Sequence, residues 1–260
     1  MRVATFNLLH GRRVPDGVAH PEDLTAAARA LDADLVALQE VDRSQVRSGC
    51  VDQASVVAEA LGARWWRFVP ALEGTPGGAW SPSSVDDGST LTSPAYGIAL
   101  LSRHPVRSWR VRRFGPAPVG MPLHVAGRRG LVAVADEPRV AVAAEVETPS
   151  GPLTVIATHL SFVPGWNVRQ LRALVRWARS MPGPRLLLGD VNLPGPVVRA
   201  TTGWTMLARD LPTYPSWRPR VQFDHVLADR AMPVIGAAAP RLPVSDHRAV
   251  VVDLADPPGG

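Results

Sequence analysis

Six side chains in this sequence carry oxygen donors of the kind that hold a hard divalent cation: Asn7, Glu40, Asp190, Asn192, Asp224 and Asp246. Carboxylate and amide oxygens favour Mg²⁺, Mn²⁺ or Ca²⁺ over softer metals. Mg²⁺ in particular takes one or two carboxylates and completes its sphere with water and substrate phosphate. Cys50 is the only cysteine, so neither a thiolate zinc site nor an internal disulfide is available. Two Asp–His dipeptides, Asp224-His225 and Asp246-His247, are the other concentrations of chemistry. An imidazole held by a buried carboxylate has a fixed tautomer and raised basicity, which suits proton transfer or an electrostatic clamp. Either dipeptide alone is as well explained by a solvated loop. Several acids together with histidines suggest a metal-assisted phosphoester site.

The elements that must position these residues alternate between strand and helix. Apolar runs predict strands at Arg2–Phe6, Leu35–Leu38, Ile98–Leu101, Val140–Val146, Thr154–Ala157, Leu186–Leu188, Phe223–Leu227 and Val250–Leu254. Helices are predicted at Asp23–Leu31, Gln53–Leu61 and Asn167–Arg179, the first opened by Pro21-Glu22-Asp23 and the second closed by Gly62. Strands repeatedly stop on a polar residue: Asn7, Glu40, His159, then Asp190 with Asn192. One polar residue at a strand end merely begins a loop. The recurrence marks the edge of an α/β sheet where ligands collect. Residues 70–96, rich in Pro, Gly, Ser and Asp, read as one long surface loop shaped to close as a lid, and residues 115–130 as a second loop containing Arg128 and Arg129.

Composition sets the outer bounds. The 260 residues are 46% hydrophobic and 20% charged, with a mean hydropathy of +0.03, the balance of a globular chain. No apolar run reaches the roughly 18 residues of a membrane span. Arg2, Asn7, His10 and Arg12 interrupt the place of a secretory leader, so a cytoplasmic setting is expected. The net charge is +5, and all 28 basic residues are arginine. Arginine stays protonated to very high pH, so the pI of 10.7 overstates the positive field at neutrality. That surface is compatible with phosphate-bearing substrates without selecting them.

Seven short motifs then fall in a familiar order. Thr5-Phe6-Asn7, Leu38-Gln39-Glu40-Val41, Tyr96-Gly97-Ile98-Ala99-Leu100-Leu101-Ser102-Arg103 and Thr158-His159-Leu160 come first. Gly189-Asp190-Val191-Asn192, Phe223-Asp224-His225-Val226-Leu227 and Ser245-Asp246-His247-Arg248-Ala249-Val250 follow. From about Val3 to Leu254 the chain resembles the endonuclease/exonuclease/phosphatase superfamily, the deoxyribonuclease-I-like metal-dependent phosphoesterases. Each motif alone occurs by chance; the set in order is specific. The resemblance implies an α/β (α+β) four-layer sandwich, two mixed β-sheets face to face with helices on both outer sides. One domain is expected over residues 1–255 with a frayed tail at 256–260, and a monomer.

The resemblance also implies roles. Glu40 would be the principal ligand of Mg²⁺ or Mn²⁺, with Asn7 and Asp246 beside it. Asp190 and Asn192 would position the attacking water and the phosphate. His159 and His247 would contact phosphate oxygens, His247 being oriented by Asp224. The choice of base between Asp190 and His247 stays open. These eight residues, distant in sequence, must meet in one cleft for the chemistry to exist.

Departures narrow the substrate. His159 stands where abasic-site endonucleases carry an aromatic residue, and Leu193-Pro194-Gly195 lacks their acidic continuation. Arg43, Arg47-Ser48-Gly49 and Asp52-Gln53 resemble the bacterial hydrolase and phospholipase-like branches instead. The expected substrate is a small phosphoester or lipid headgroup, with DNA or RNA as the alternative. A non-catalytic phosphate- or nucleic-acid-binding module is the competing class, disfavoured because Glu40, Asp190, Asn192 and His247 are all present. Arg169, Arg172, Arg176 and Arg179 share one helix face and read as solvated, since no interleaved aromatics accompany them. Trp65-Trp66 read as core or sheet cover, and His10 and His124 as loop residues without partners.

Overall fold

The computed structural model describes residues 1–14, 17–124 and 130–255. In chain order its strands are β1 (Arg2–Asn7), β2 (Leu35–Arg43), β3 (Trp65–Gly74), β4 (Trp80–Pro82), β5 (Ala95–Ser102), β6 (Val106–Phe114), β7 (Met121–His124) and β8 (Leu131–Val134). They continue with β9 (Arg139–Thr148), β10 (Gly151–His159), β11 (Arg185–Asp190), β12 (Thr205–Met206), β13 (Asp224–Ala228), β14 (Val234–Ala238) and β15 (Val250–Leu254). The helices are α1 (Pro21–Leu31), α2 (Gln53–Leu61), α3 (Trp166–Ala178) and α4 (Gly195–Thr202). None is long and apolar enough to cross a membrane.

Two mixed sheets form the body, in the orders β14-β15-β1-β2-β5-β3-β4 and β12-β13-β11-β10-β9-β6, with β7-β8 a separate ribbon. Period-two alternation divides each central strand between two cores. Val3, Leu35, Ala37, Val155, Ala157, Leu186 and Leu188 pack between the sheets. Ala4, Phe6, Val36 and Leu38 face outward onto Leu24, Leu31, Val57 and Leu61 of α1 and α2. On the opposite outer face, Ile156 and Leu187 meet Leu171, Leu174 and Val198 of α3 and α4. The result is a four-layer α/β sandwich. Local signals start and stop the helices: Asp52 caps α2 by accepting from Ser55 N–H at 3.1 Å, and Gly62 ends it at φ 67°.

The segment 70–96 is not one loop. β3 runs on to Gly74, β4 pairs with it, and β5 begins at Ala95. Pro70 and Pro82 disguised these strands, yet Pro70 sits at a register irregularity and Pro82 on a three-residue edge strand, where a missing N–H does little harm. Of the segment 115–130, Met121–His124 pairs with β8, and 125–129, with Arg128 and Arg129, lies outside the described residues, as does the tail 256–260. β6 was hidden by Arg107, Arg110, Arg112 and Arg113, which an edge strand tolerates.

Gly189 is fixed by close approach. A Cβ on Gly189 would lie 2.1 Å from the Thr158 carbonyl oxygen on the neighbouring strand. Neither strand can yield without displacing His159 or Asp190, which face each other in the same ladder. Gly189→Ala is therefore expected to lower the thermal midpoint and also to reduce activity in the protein that stays folded. Leu188→Ala, a core cavity costing about 2–5 kcal/mol, should reduce stability with little change in kcat. Paired melting curves and kcat values for the two variants check this.

Candidate active site

The alternation that builds the inter-sheet core also builds the site. Val3-x-Thr5-x-Asn7, Val155-x-Ala157-x-His159 and Leu186-x-Leu188-x-Asp190 each end a core-facing row on a polar residue. On β13 Asp224 stands in the same row as Val226 and Ala228. Ladder register places His159 beside Asp190 and Asp190 beside Asp224. Three polar side chains thus lie abreast at one end of the six-stranded sheet, with Asn7 reaching Asp190 from the other sheet.

Glu40 arrives by a different device. Regular alternation would point it with Val36 and Leu38 under the helices. The β2–β5 register instead slips between Leu38 and Val41, and Glu40 takes φ 54°. This bulge returns Val41 to the outer core and re-aims Glu40 at the site. Neighbours hold the bulge in place. Asp42 accepts two bonds from Arg47 (2.9 and 2.7 Å) and one from Ser48 Oγ (2.9 Å). Gln53 accepts from Asp42 N–H and donates to the His10 carbonyl, at 2.9 and 2.7 Å. Arg43 pairs with Asp52 at 2.9 Å. The Arg43–Gln53 stretch is scaffolding for Glu40.

The Asn7 amide donates to both Glu40 Oε1 and Asp190 Oδ2, each at 3.1 Å, while its oxygen accepts from Leu9 N–H at 3.0 Å. It brackets the two carboxylates. The other oxygen of Asp190 accepts from Asn192 N–H at 2.9 Å, and Asn192, at φ 52°, is anchored through its carbonyl by Asn167 at 3.0 Å. His247 Nδ1 lies 2.8 Å from Asp224 Oδ2 and 3.7 Å from Asp190 Oδ2. His159 Nε2 lies 3.8 Å from Asp190 and 3.4 Å from Asn192 Nδ2. Asp246 sits in the turn before β15, with Ser245 Oγ accepting from His247 N–H at 2.9 Å. All eight residues singled out in the sequence stand at this one end of the sandwich.

Burial separates their proton affinities. Desolvation, reinforced by Asp224, raises Asp190 to about 7. The His247 imidazolium is opposed by burial, yet the carboxylates of Asp224 and Asp190 prevail and raise it to about 10. His159 moves well below the ordinary imidazole range, first through burial and then through the Arg139 guanidinium. One end therefore holds a charged and a neutral histidine around a carboxyl poised near neutrality.

Three further residues belong to the site and were not singled out. Arg139, buried at the start of β9, approaches His159 Nδ1 at 3.2 Å. A guanidinium can only donate, so the His159 ring accepts from it. His10, read as a partnerless loop residue, has Nδ1 4.0 Å from Glu40 Oε2 and is pushed down to about 3 by burial and by Arg47 and Arg12. Tyr214 packs its ring 5.0 Å from that of His247. Only His10, close after Asn7, left any signal in the sequence.

Two groupings could hold a cation. Asp190, Asp224 and His247 offer ligand atoms within 4.8 Å of one another, but there His247 Nδ1 is already engaged by Asp224 Oδ2 at 2.8 Å. Glu40 and Asp246 are different. Burial raises both, Asp246 further raises Glu40, and among the described residues no arginine comes within ion-pair distance of either. Two half-buried carboxylates in mutual repulsion, one of them held by the Asn7 amide, fit a hard divalent ion.

Known proteins give an independent measure. The family model for the endonuclease/exonuclease/phosphatase family matches residues 4–247. A Beutenbergia cavernae protein described by that family name is 24% identical, with a TM-score of 0.65 over 98% of this chain and 71% of the other. The Bacteroides thetaiotaomicron mannosyl-6-phosphatase Bt3783 gives 15% and 0.65 over 98% and 99%. Sphingomyelinase C from Streptomyces griseocarneus gives 15% and 0.56 over 97% and 98%. No curated protein matches in sequence. With the motifs, the sandwich and the family match in agreement, the chain belongs to the endonuclease/exonuclease/phosphatase family, whose members hydrolyse phosphoester bonds.

Proposed function

We propose that the protein is a divalent-metal-dependent phosphoester hydrolase in which water attacks phosphorus in line. One observation carries the reading: a buried carboxyl, Asp190, is held by the Asn7 amide and the Asn192 N–H, with His159 and His247 each within 3.8 Å. Asp190 accepts the proton of the attacking water, for which a proton affinity near neutrality is suited. His247, already protonated and tethered to Asp224, donates to a phosphoryl oxygen and is not the base. His159 contacts the same group from the other side. Asn192 orients Asp190 through its N–H and faces the phosphate with its amide. Glu40 and Asp246 would hold Mg²⁺ or Mn²⁺, with Asn7 fixing Glu40 from outside. When bound, the ion supplies Lewis-acid neutralisation of the developing phosphoryl charge.

A small phosphoester or lipid headgroup is the proposed substrate. A duplex must be gripped through many phosphates, and the modest net charge gives little for that. Arg169, Arg172, Arg176 and Arg179 lie along the exposed side of α3. The names of two structural neighbours, a mannosyl-6-phosphatase and a sphingomyelinase, support the same size of substrate.

The test is hydrolysis of bis-p-nitrophenyl phosphate, sphingomyelin, plasmid DNA and a duplex with one abasic site. EDTA is expected to abolish turnover, and Mg²⁺ or Mn²⁺ to restore it. Full activity in excess chelator would overturn the mechanism. Abasic-site incision faster by orders of magnitude, with a steep salt dependence, would move the substrate to DNA.

A further inference from the structure

The segment that carries Tyr214 is a closed hairpin fixed against the site. Thr213 and Tyr214 donate their N–H groups to the Val221 carbonyl at 2.8 and 3.0 Å, and Arg220 N–H donates back to the Tyr214 carbonyl at 2.8 Å. Its middle is tied to the Ser245–Asp246 turn. Ser216 N–H donates to the Asp246 carbonyl at 2.6 Å, Ser216 Oγ to the Ser245 carbonyl at 3.0 Å, and Arg248 Nε to the Ser216 carbonyl at 2.9 Å. Whatever this hairpin presents is held in register with His247.

It presents an unusual surface. Tyr214, Pro215, Trp217, Arg218, Arg220 and Val221 line a cavity of about 380 Å³. Tyr214 also packs against the His247 ring, 5.0 Å between centroids, so this one side chain joins the cavity wall to the imidazole. Trp217 is 53% exposed, a large apolar ring that no core packing explains. Arg218 and Arg220 are exposed, and among the described residues neither guanidinium has an ion-pair or hydrogen-bond partner. Arg220 also lines an adjoining cavity of about 350 Å³ that contains Arg199 and Arg209, against one acid, Asp210. A free indole and free guanidiniums on an immobilised backbone are suited to a planar face joined to an anion. Because the hairpin is already ordered, little is lost in fixing it on binding.

We propose that this hairpin is the subsite for the part of the substrate beyond the scissile phosphate. It selects an organic phosphoester that carries a planar ring and a second anionic group, as a nucleoside bisphosphate does. Trp217 stacks on the ring, and Arg218 and Arg220 take the second anion. A cationic headgroup such as choline meets two like charges and is rejected. The proposal rests on the phosphoesterase reading above and narrows it.

The experiment measures binding of adenosine 3′,5′-bisphosphate, adenosine 5′-monophosphate and phosphocholine, by inhibition of bis-p-nitrophenyl phosphate hydrolysis and by calorimetry. The bisphosphate is expected to bind the native protein about tenfold or more tightly than the monophosphate, the value of one charge-assisted hydrogen bond. Phosphocholine should bind weakest. In the Arg218→Ala/Arg220→Ala variant the bisphosphate preference should fall to about one, while Arg218→Lys/Arg220→Lys should keep most of it. Trp217→Ala should weaken both adenosine compounds several-fold. Equal binding of the two nucleotides by the native protein, or an undiminished preference in the double alanine variant, overturns the proposal. So does Trp217-dependent sedimentation with phosphatidylserine vesicles in a protein lacking that preference, which would assign the hairpin to a membrane surface. Absence of all turnover would defeat the hydrolase reading alone, because calorimetry needs no turnover to decide the subsite.

Discussion

Asp190→Asn is expected to lower kcat by about 10²–10⁴-fold, the usual contribution of a positioned proton acceptor. The substitution keeps the size of the side chain and can still accept from Asn192 N–H, so the fold should survive. His247→Ala should cause a loss of similar order by removing the donor on the other side of the same transition state. Since Asp190 and His247 stand 3.7 Å apart and act together, the double variant should lose less than the product of the single losses. Asp224→Asn should cost less than His247→Ala, because Asp224 acts through the imidazole it holds at 2.8 Å.

The pH profile separates the roles. Activity should rise with pH as Asp190 gives up its proton and fall at high pH as His247 loses its own, since both sit above their ordinary values. The rising limb should vanish in Asp190→Asn and the falling limb in His247→Ala. Rates for the four proteins at saturating metal, across pH, check this. A native rate for His247→Ala would remove His247 from the mechanism.

Glu40→Gln should produce the second large loss, read as metal affinity. Residues that merely orient metal ligands are worth about 10–100-fold in affinity, and a ligating carboxylate should cost at least that. The apparent metal constant for activation should therefore rise by that factor or more, with kcat partly recovered at high Mn²⁺. A second signature has the opposite sign. Glu40 is half-buried, and desolvation and the repulsion of Asp246 raise its proton affinity, so its ionised form opposes folding. In EDTA, Glu40→Gln should thus melt at a higher temperature than the native protein, and in Mg²⁺ the order should reverse. Melting curves with and without metal test both halves. Unchanged metal activation would release Glu40 from its assigned role.

Much of this molecule is legible in one dimension because its rules are periodic. Apolar alternation in Val155-x-Ala157 and Leu186-x-Leu188 gives both the strands and the face on which His159 and Asp190 emerge. Pro21, Glu22, Asp23 and Gly62 mark helix ends by local chemistry that any chain would obey. The sequence therefore determined the layered α/β class, the polar strand ends at Asn7, His159 and Asp190, and the family; Glu40, expected at a strand end, lies inside β2, which runs on to Arg43. What it could not determine depends on neighbours remote in the chain. Glu40 faces the site only because a register slip against β5 re-aims it. β3 and β6 were hidden by proline and arginine, which become acceptable only at an irregularity and a sheet edge. Arg139 is ordinarily a surface residue, and its burial beside His159 follows from where β9 and β10 pair. Tyr214 reaches His247 because hydrogen bonds tie its hairpin to the Ser245–Asp246 turn. The proton affinities of Asp190 and His247 were equally out of reach, since desolvation and charge proximity exist only once the sheets have closed.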